Sequence, residues 1–202
     1  MYLVGTAPPR GTFFATGMNT GTRVVGSVAG ATTPAAQMGE LGVSDRLTFA
    51  RIAGGRFQIG LAALHSIRGY VQDAPDKLEA GGVLLGRHVR GTPDVIVDRV
   101  TAPLPGDRRD RHHFYRAAPR HQAAIDGAWR ESGGACTYLG EWHTHPQRVP
   151  TPSRVDRLDW RRKLLLDRFS GSLFFAIAGT DAVCVWEGSR WYARLSQLGS
   201  MA

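Results

Sequence analysis

At 202 residues, with 43% hydrophobic and 21% charged residues, the chain can bury one substantial core and has the make-up of an ordinary globular protein. It contains no apolar run near the roughly 20 residues a bilayer span needs and no charged N-terminal segment leading into an apolar core, so no membrane association and a cytoplasmic location are expected. Cys136 and Cys184 lie in apolar, strand-like stretches and read as buried packing thiols, while a formal charge of +8, almost all arginine, suits nucleic acid, an acidic partner or solubility without selecting among them.

Residues 1–50 are rich in Gly, Thr, Ala and Ser, keep neither helical nor strand periodicity, and are expected to be a disordered extension. Met18 or Met38 is a candidate true start, which N-terminal sequencing of the native protein would settle. A single folded domain is expected over 51–202. It opens with "RFQIGLAALHSIRGYV", a short strand running into a helix whose Leu61, Leu64 and Ile67 recur at helical spacing. "GGVLLGRHV" and "DVIVDRVTAP" then read as a hairpin turning through "RGTP".

"GDRRDRHHFYRAAPRH", residues 106–121, is a basic run with two aromatics, read either as a solvated loop or as a surface for an acidic protein or a phosphate backbone. A helix follows, opened by Pro119 and closed by a glycine pair, carrying Ala123, Ala124, Ala128 and Trp129. "ACTYLGEWHTH" is rich in β-formers, with Trp142 as a packing residue. "SRVDRLDWRRKLLLDRF" predicts an amphipathic helix with Val155, Leu158, Leu165 and Phe169 on its apolar face. "SLFFAIAG", "AVCVWEG" and "RWYARL" read as closing strands. This order predicts an α/β (α+β) fold, a mixed β-sheet flanked by helices.

The chemistry concentrates in "HTHPQRVPTPSRVD", residues 143–156. Alternation along an extended strand puts His143 and His145 on one face, close enough to share a metal. Asp156, in the first turn of the next helix, can fold back as a third ligand, while Pro146, Pro150 and Pro152 stiffen the loop between. Two imidazoles and a carboxylate suit Zn²⁺ with an open fourth position. Ser153 is then a candidate oxyanion donor. The competing reading makes Ser153 and Asp156 a capping box that serves only the backbone.

This spacing, H-x-H, seven residues, then S-x-x-D, resembles the JAMM metalloproteases (the JAB1/MPN/Mov34 family), and "EAGGVLLG" from Glu79 to Gly86 resembles that family's upstream E-x-G-G-x-L-x-G segment. The likeness covers roughly residues 55 to 198 and is greatest to bacterial stand-alone members, including deconjugating proteases found beside E1- and E2-like proteins in anti-phage operons such as CBASS. It implies a cytidine-deaminase-like MPN/JAB fold, one zinc per chain on His143, His145 and Asp156, and Glu79 as the group that takes a proton from the attacking water and returns it to the leaving amine. It also implies a ubiquitin-like or conjugated protein substrate whose C-terminal tail lies as an added strand beside the sheet, and operon-encoded E1/E2-like partners; the glycines of "AGGVLLG" are read separately as permitting close approach by an extended peptide, and nucleic acid is not expected as a partner. Processing of a sulfur carrier and a non-catalytic scaffold are the alternatives. Glu141 stands where many eukaryotic members have an apolar or aromatic residue, and is left open between a partner of a metal-binding imidazole and a partner of an arginine.

Overall fold

A computed structural model describes residues 46–169, 171–189 and 194–202. The first described strand, β1 (Arg46–Ala50), falls inside the segment expected to lack order. Leu47 and Phe49 alternate inward along it, and it pairs antiparallel with β2 (Arg56–Gly60). Folded structure therefore begins ahead of the expected boundary at 50, and residues 1–45 lie outside the described residues.

Helix α1 (Leu61–Arg68) follows β2 directly, burying Leu64 and Ile67 but leaving Leu61 exposed. The predicted hairpin forms from β3 (Gly81–His88) and β4 (Val95–Val100). A small hairpin of β5 (Arg108–Arg109) and β6 (Phe114–Tyr115) interrupts the basic run. Helix α2 (Ala118–Glu131) buries His121, Ile125 and Ala128 and leads to β7 (Thr137–Thr144). Helix α3 (Arg154–Leu166) crosses over to β8 (Ser172–Ala178), which lies parallel to β7; β9 (Val183–Ser189) and β10 (Arg194–Met201) complete the sheet. Of the predicted "RWYARL" strand, residues 190–193 lie outside the described residues.

Among the described residues, eight strands form one mixed sheet in the order β1-β2-β4-β3-β7-β8-β9-β10, and β5 and β6 pair separately. One face packs Phe57, Leu64, Ile67, Trp142 and Phe174 with α1, and the other packs Ile125, Trp160, Leu164, Phe175 and Trp186 with α2 and α3. Both cysteines are buried and free. Among the described residues, no helix is long and apolar enough to cross a membrane.

Two expectations change. The apolar face predicted for α3 is largely outward: Val155, Leu158 and Leu165 are 68%, 55% and 63% exposed. The buried side is instead Trp160, stacked on Phe175 with centroids 4.7 Å apart, and Leu164. The glycines of "AGGVLLG" accommodate the protein's own chain. A Cβ on Gly82 would lie 1.9 Å from the Thr101 carbonyl oxygen, one on Gly86 the same distance from that of Ile96, and one on Gly81 would strike the Phe114 ring at 2.6 Å. Strand β3 is enclosed by β4 and β7, so an added peptide strand finds no open edge there.

Candidate metal centre

Strand β7 carries the histidines, and its register decides where they point. Its pairing with β3 shifts between Leu84 and Leu85, at a bulge where Gly140 adopts φ 141° and its Cα approaches the Phe174 backbone too closely for any side chain. Beyond the bulge Trp142 is buried on the α1 face, its indole N–H donating to the Thr101 carbonyl over 2.9 Å, as expected of a packing residue. Glu141 and His143 turn to the α3 face, where His143 lies 6.2 Å from Trp160, centroid to centroid.

After β7 the His145 N–H donates to the Ala178 carbonyl over 2.9 Å, which holds the second imidazole beside the first. The two Nε2 atoms are 3.1 Å apart. The start of α3 delivers the carboxylate: Asp156 Oδ1 is 3.4 Å from His143 Nε2, and Oδ2 is 3.5 Å from His145 Nε2. A tetrahedral ion with bonds of about 2.0–2.1 Å sets its ligand atoms about 3.3 Å apart, and the imidazole pair, with a carboxylate oxygen of Asp156 near each, lies close to that spacing, as a shared metal ion needs.

Glu79 is buried, and one of its oxygens lies with both imidazoles inside a 4.8 Å cluster, so two carboxylates flank one histidine pair. Their electrostatics differ. Burial lifts the Glu79 carboxyl to about 7, with Asp156 adding to the rise and His143 opposing it. Burial also opposes charge on Asp156, but His143 and Ser153 prevail and hold it far below the usual carboxylate range. Burial likewise lowers His143, yet Asp156 and Glu79 raise it above the ordinary imidazole value, whereas burial and the His143 charge depress His145.

Ser153 and Asp156 form the full capping box: the Asp156 N–H donates to Ser153 Oγ over 3.1 Å, and the Ser153 N–H donates to Asp156 Oδ2 over 2.6 Å. The capping-box reading of this pair holds. The cap fixes the carboxylate that faces the histidines, and a hydroxyl that accepts a hydrogen bond still has a proton to donate.

Thr144 escaped the sequence reading, and the structure settles the surroundings of residues that it left open. Thr144, between the histidines and pointing the other way, is fully buried; its Oγ1 accepts from the Ala80 N–H over 3.0 Å and donates to Gln72 Oε1 over 3.1 Å. Its place in H-T-H, where alternation aims a small hydroxyl at the opposite face, was the available signal. Phe114 and Tyr115 of β6 line two adjoining cavities of about 480 and 410 Å³ that share Glu79, Val155 and Asp156. Sequence spacing held no hint of these walls. Glu141 is paired: Arg116 donates to it, Lys163 Nζ stands 3.2 Å away, and the Tyr138 hydroxyl donates over 3.3 Å. Although burial would raise its carboxyl, Arg116 and Lys163 bring it down to about 2. His121 lies away from the metal donors, fully buried between Thr101 Oγ1 at 2.7 Å and Asp107 Oδ2 at 3.1 Å.

The family described as prokaryotic homologs of the JAB domain matches residues 62–192. A Pseudomonas aeruginosa protein named CD-NTase/cGAS isopeptidase is 36% identical over 124 residues, 61% of this chain and 77% of that protein. A Vibrio cholerae protein of the same name is 41% identical over 101 residues, 50% of this chain and 62% of the other. A Sinorhizobium fredii protein named Probable metalloprotease y4qB is 36% identical over 84 residues, 40% of this chain and 49% of its own.

Proposed function

The chain belongs to the family of prokaryotic homologs of the JAB domain, and from that premise we propose that it is a zinc isopeptidase cutting the amide between the C-terminus of a conjugated protein and a lysine of its target. The relatives' names point to a CD-NTase as the conjugated protein, with E1/E2-like enzymes as the source of the conjugate. One observation carries the reading: His143, His145 and Asp156 converge to 3.1–3.5 Å with Glu79 beside them on a cleft wall.

In this reading His143, His145 and Asp156 hold the metal. Bound zinc supplies Lewis acidity, acidifying water and polarising a carbonyl. Glu79, when ionised, accepts a proton from the attacking water and passes it to the amine nitrogen as the C–N bond breaks. The water oxygen ends in the new C-terminal carboxylate. Ser153 Oγ–H donates to the carbonyl oxygen as it gains charge. Phe114, Tyr115 and Val155 line the cleft on either side of the scissile region. The half-buried Glu141, paired with Arg116 and Lys163, stays ionised near His143 and raises the imidazole's basicity.

The test is elemental analysis of wild type, His143→Ala and Glu79→Gln, together with cleavage of a CD-NTase fused through its C-terminus to a reporter protein. Wild type and Glu79→Gln should each hold about one zinc, and His143→Ala far less. Glu79→Gln should cut the fusion roughly 100- to 10,000-fold more slowly than wild type. No zinc in any of the three after metal is supplied would overturn the hydrolase reading in favour of a scaffold.

A further inference from the structure

The segment that delivers Glu79 has no regular secondary structure: residues 77–80 belong to neither helix nor strand. Its backbone groups must therefore be satisfied from elsewhere, and those bonds set where the carboxylate points. Those of Leu78 and Glu79 come from the basic run 106–121, which the sequence offered as a solvated loop or a docking surface. Arg109 Nε donates to the Glu79 carbonyl over 2.7 Å and its Nη2 to the Leu78 carbonyl over 3.1 Å. The neighbouring Asp110 carbonyl accepts from the Glu79 N–H over 2.8 Å. Arg111 Nη1 holds the approach to this segment, donating to the carbonyls of Ala74 at 2.9 Å and Pro75 at 2.6 Å. On the far side Thr144 bonds both backbone groups of Ala80, which ties the same segment to the histidine strand.

We propose that Arg109 is a positioning residue: its guanidinium fork grips two successive carbonyls and fixes Glu79 against the metal ligands without itself touching substrate. The assignment rests on Glu79 being the proton carrier of the proposed hydrolase. An arginine suits the task because its planar donors reach two oxygens at once, which a lysine ammonium on a flexible stem does less well. Its guanidinium also lies 5.7 Å from the centre of the Tyr70 ring, which restricts the side chain further. Catalysis by a proton carrier depends steeply on placement, so loosening this grip acts on turnover rather than on metal or substrate binding.

The test compares wild type, Arg109→Ala and Arg109→Lys by hydrogen–deuterium exchange of the peptide spanning 74–82, with and without zinc, alongside zinc content, melting temperature, and kcat and KM on the CD-NTase–reporter fusion. Arg109→Ala should exchange faster in 74–82 but not in the central strands, keep its zinc, and lose roughly 10- to 100-fold in kcat. Its KM should stay within about twofold, with Arg109→Lys intermediate in kcat and exchange. Wild-type kcat in Arg109→Ala, unchanged exchange in 74–82, or a kcat loss that follows loss of zinc and melting temperature would overturn the assignment. Should Arg109→Ala not fold, Arg109→Lys carries the same readouts. If wild type leaves the fusion uncut, the isopeptidase reading fails, whereas exchange in 74–82 still decides whether Arg109 holds the segment.

Discussion

Glu79 and Asp156 line the same cleft, yet their surroundings drive them apart. Burial dominates at Glu79 and lifts it to about 7, while at Asp156 His143 and Ser153 outweigh burial and keep it ionised. That division suits a proton carrier beside a permanent ligand. A bound dication adds positive charge near Glu79 and lowers its pKa. Carbon-13 NMR of metal-free protein should therefore find Glu79 titrating near 7, with its midpoint moving down on zinc loading. Cleavage should weaken as pH falls through the loaded-state midpoint, since only the ionised carboxylate accepts a proton. A midpoint that rose on loading would contradict this. The convergence of the two histidines and Asp156 was legible in sequence because H-x-H and S-x-x-D are short-range, fixed by strand alternation and a helix cap. Thr144, Arg109 and Phe114 were not, because their partners stand far away along the chain.

For the elements, periodicity found helices and strands but did not always find the buried face. Helix α3 has apolar residues on two sides, and the pattern cannot say which meets the sheet. The stacking of Trp160 on Phe175 decides it, with Leu164 buried and Leu165 outward. Leu164→Ala should cost about 2–5 kcal/mol in urea unfolding, while Leu165→Ser should stay within about 0.5 kcal/mol of wild type. Equal losses would return α3 to the predicted face. Strand β3 teaches the same lesson through its glycines, which fit the neighbouring chain where the sequence suggested room for a substrate. Gly82→Ala brings a methyl to 1.9 Å from the Thr101 carbonyl. It should destabilise by about 3 kcal/mol in the same assay, since backbone rather than a flexible side chain must move.

Across the whole molecule, the sheet order places β3 against β7 and β7 against β8, gathering Glu79, the histidine strand and α3 at one end. An ion held by His143, His145 and Asp156 ties the end of β7 to the start of α3. Binding to the folded state alone adds stability, about 4 kcal/mol at a thousandfold excess over Kd. Chelation should thus lower the melting temperature of wild type and leave that of His143→Ala unmoved. A wild-type melting curve indifferent to both zinc and chelator would argue against these ligands. At this scale four arginines, Arg51, Arg109, Arg111 and Arg116, turn to internal carbonyls and carboxylates.

The alternation of strands and helices, the histidine pair, the capped carboxylate and, through resemblance, Glu79 could all be read from the chain, because each is written in a local pattern with a fixed spacing. Which face of α3 is buried, why β3 requires glycine, and that the basic run reaches inward to hold the Glu79 segment emerge only in the folded molecule. Those outcomes depend on atoms brought together from distant positions, where packing and backbone hydrogen bonding, rather than periodicity, select the arrangement.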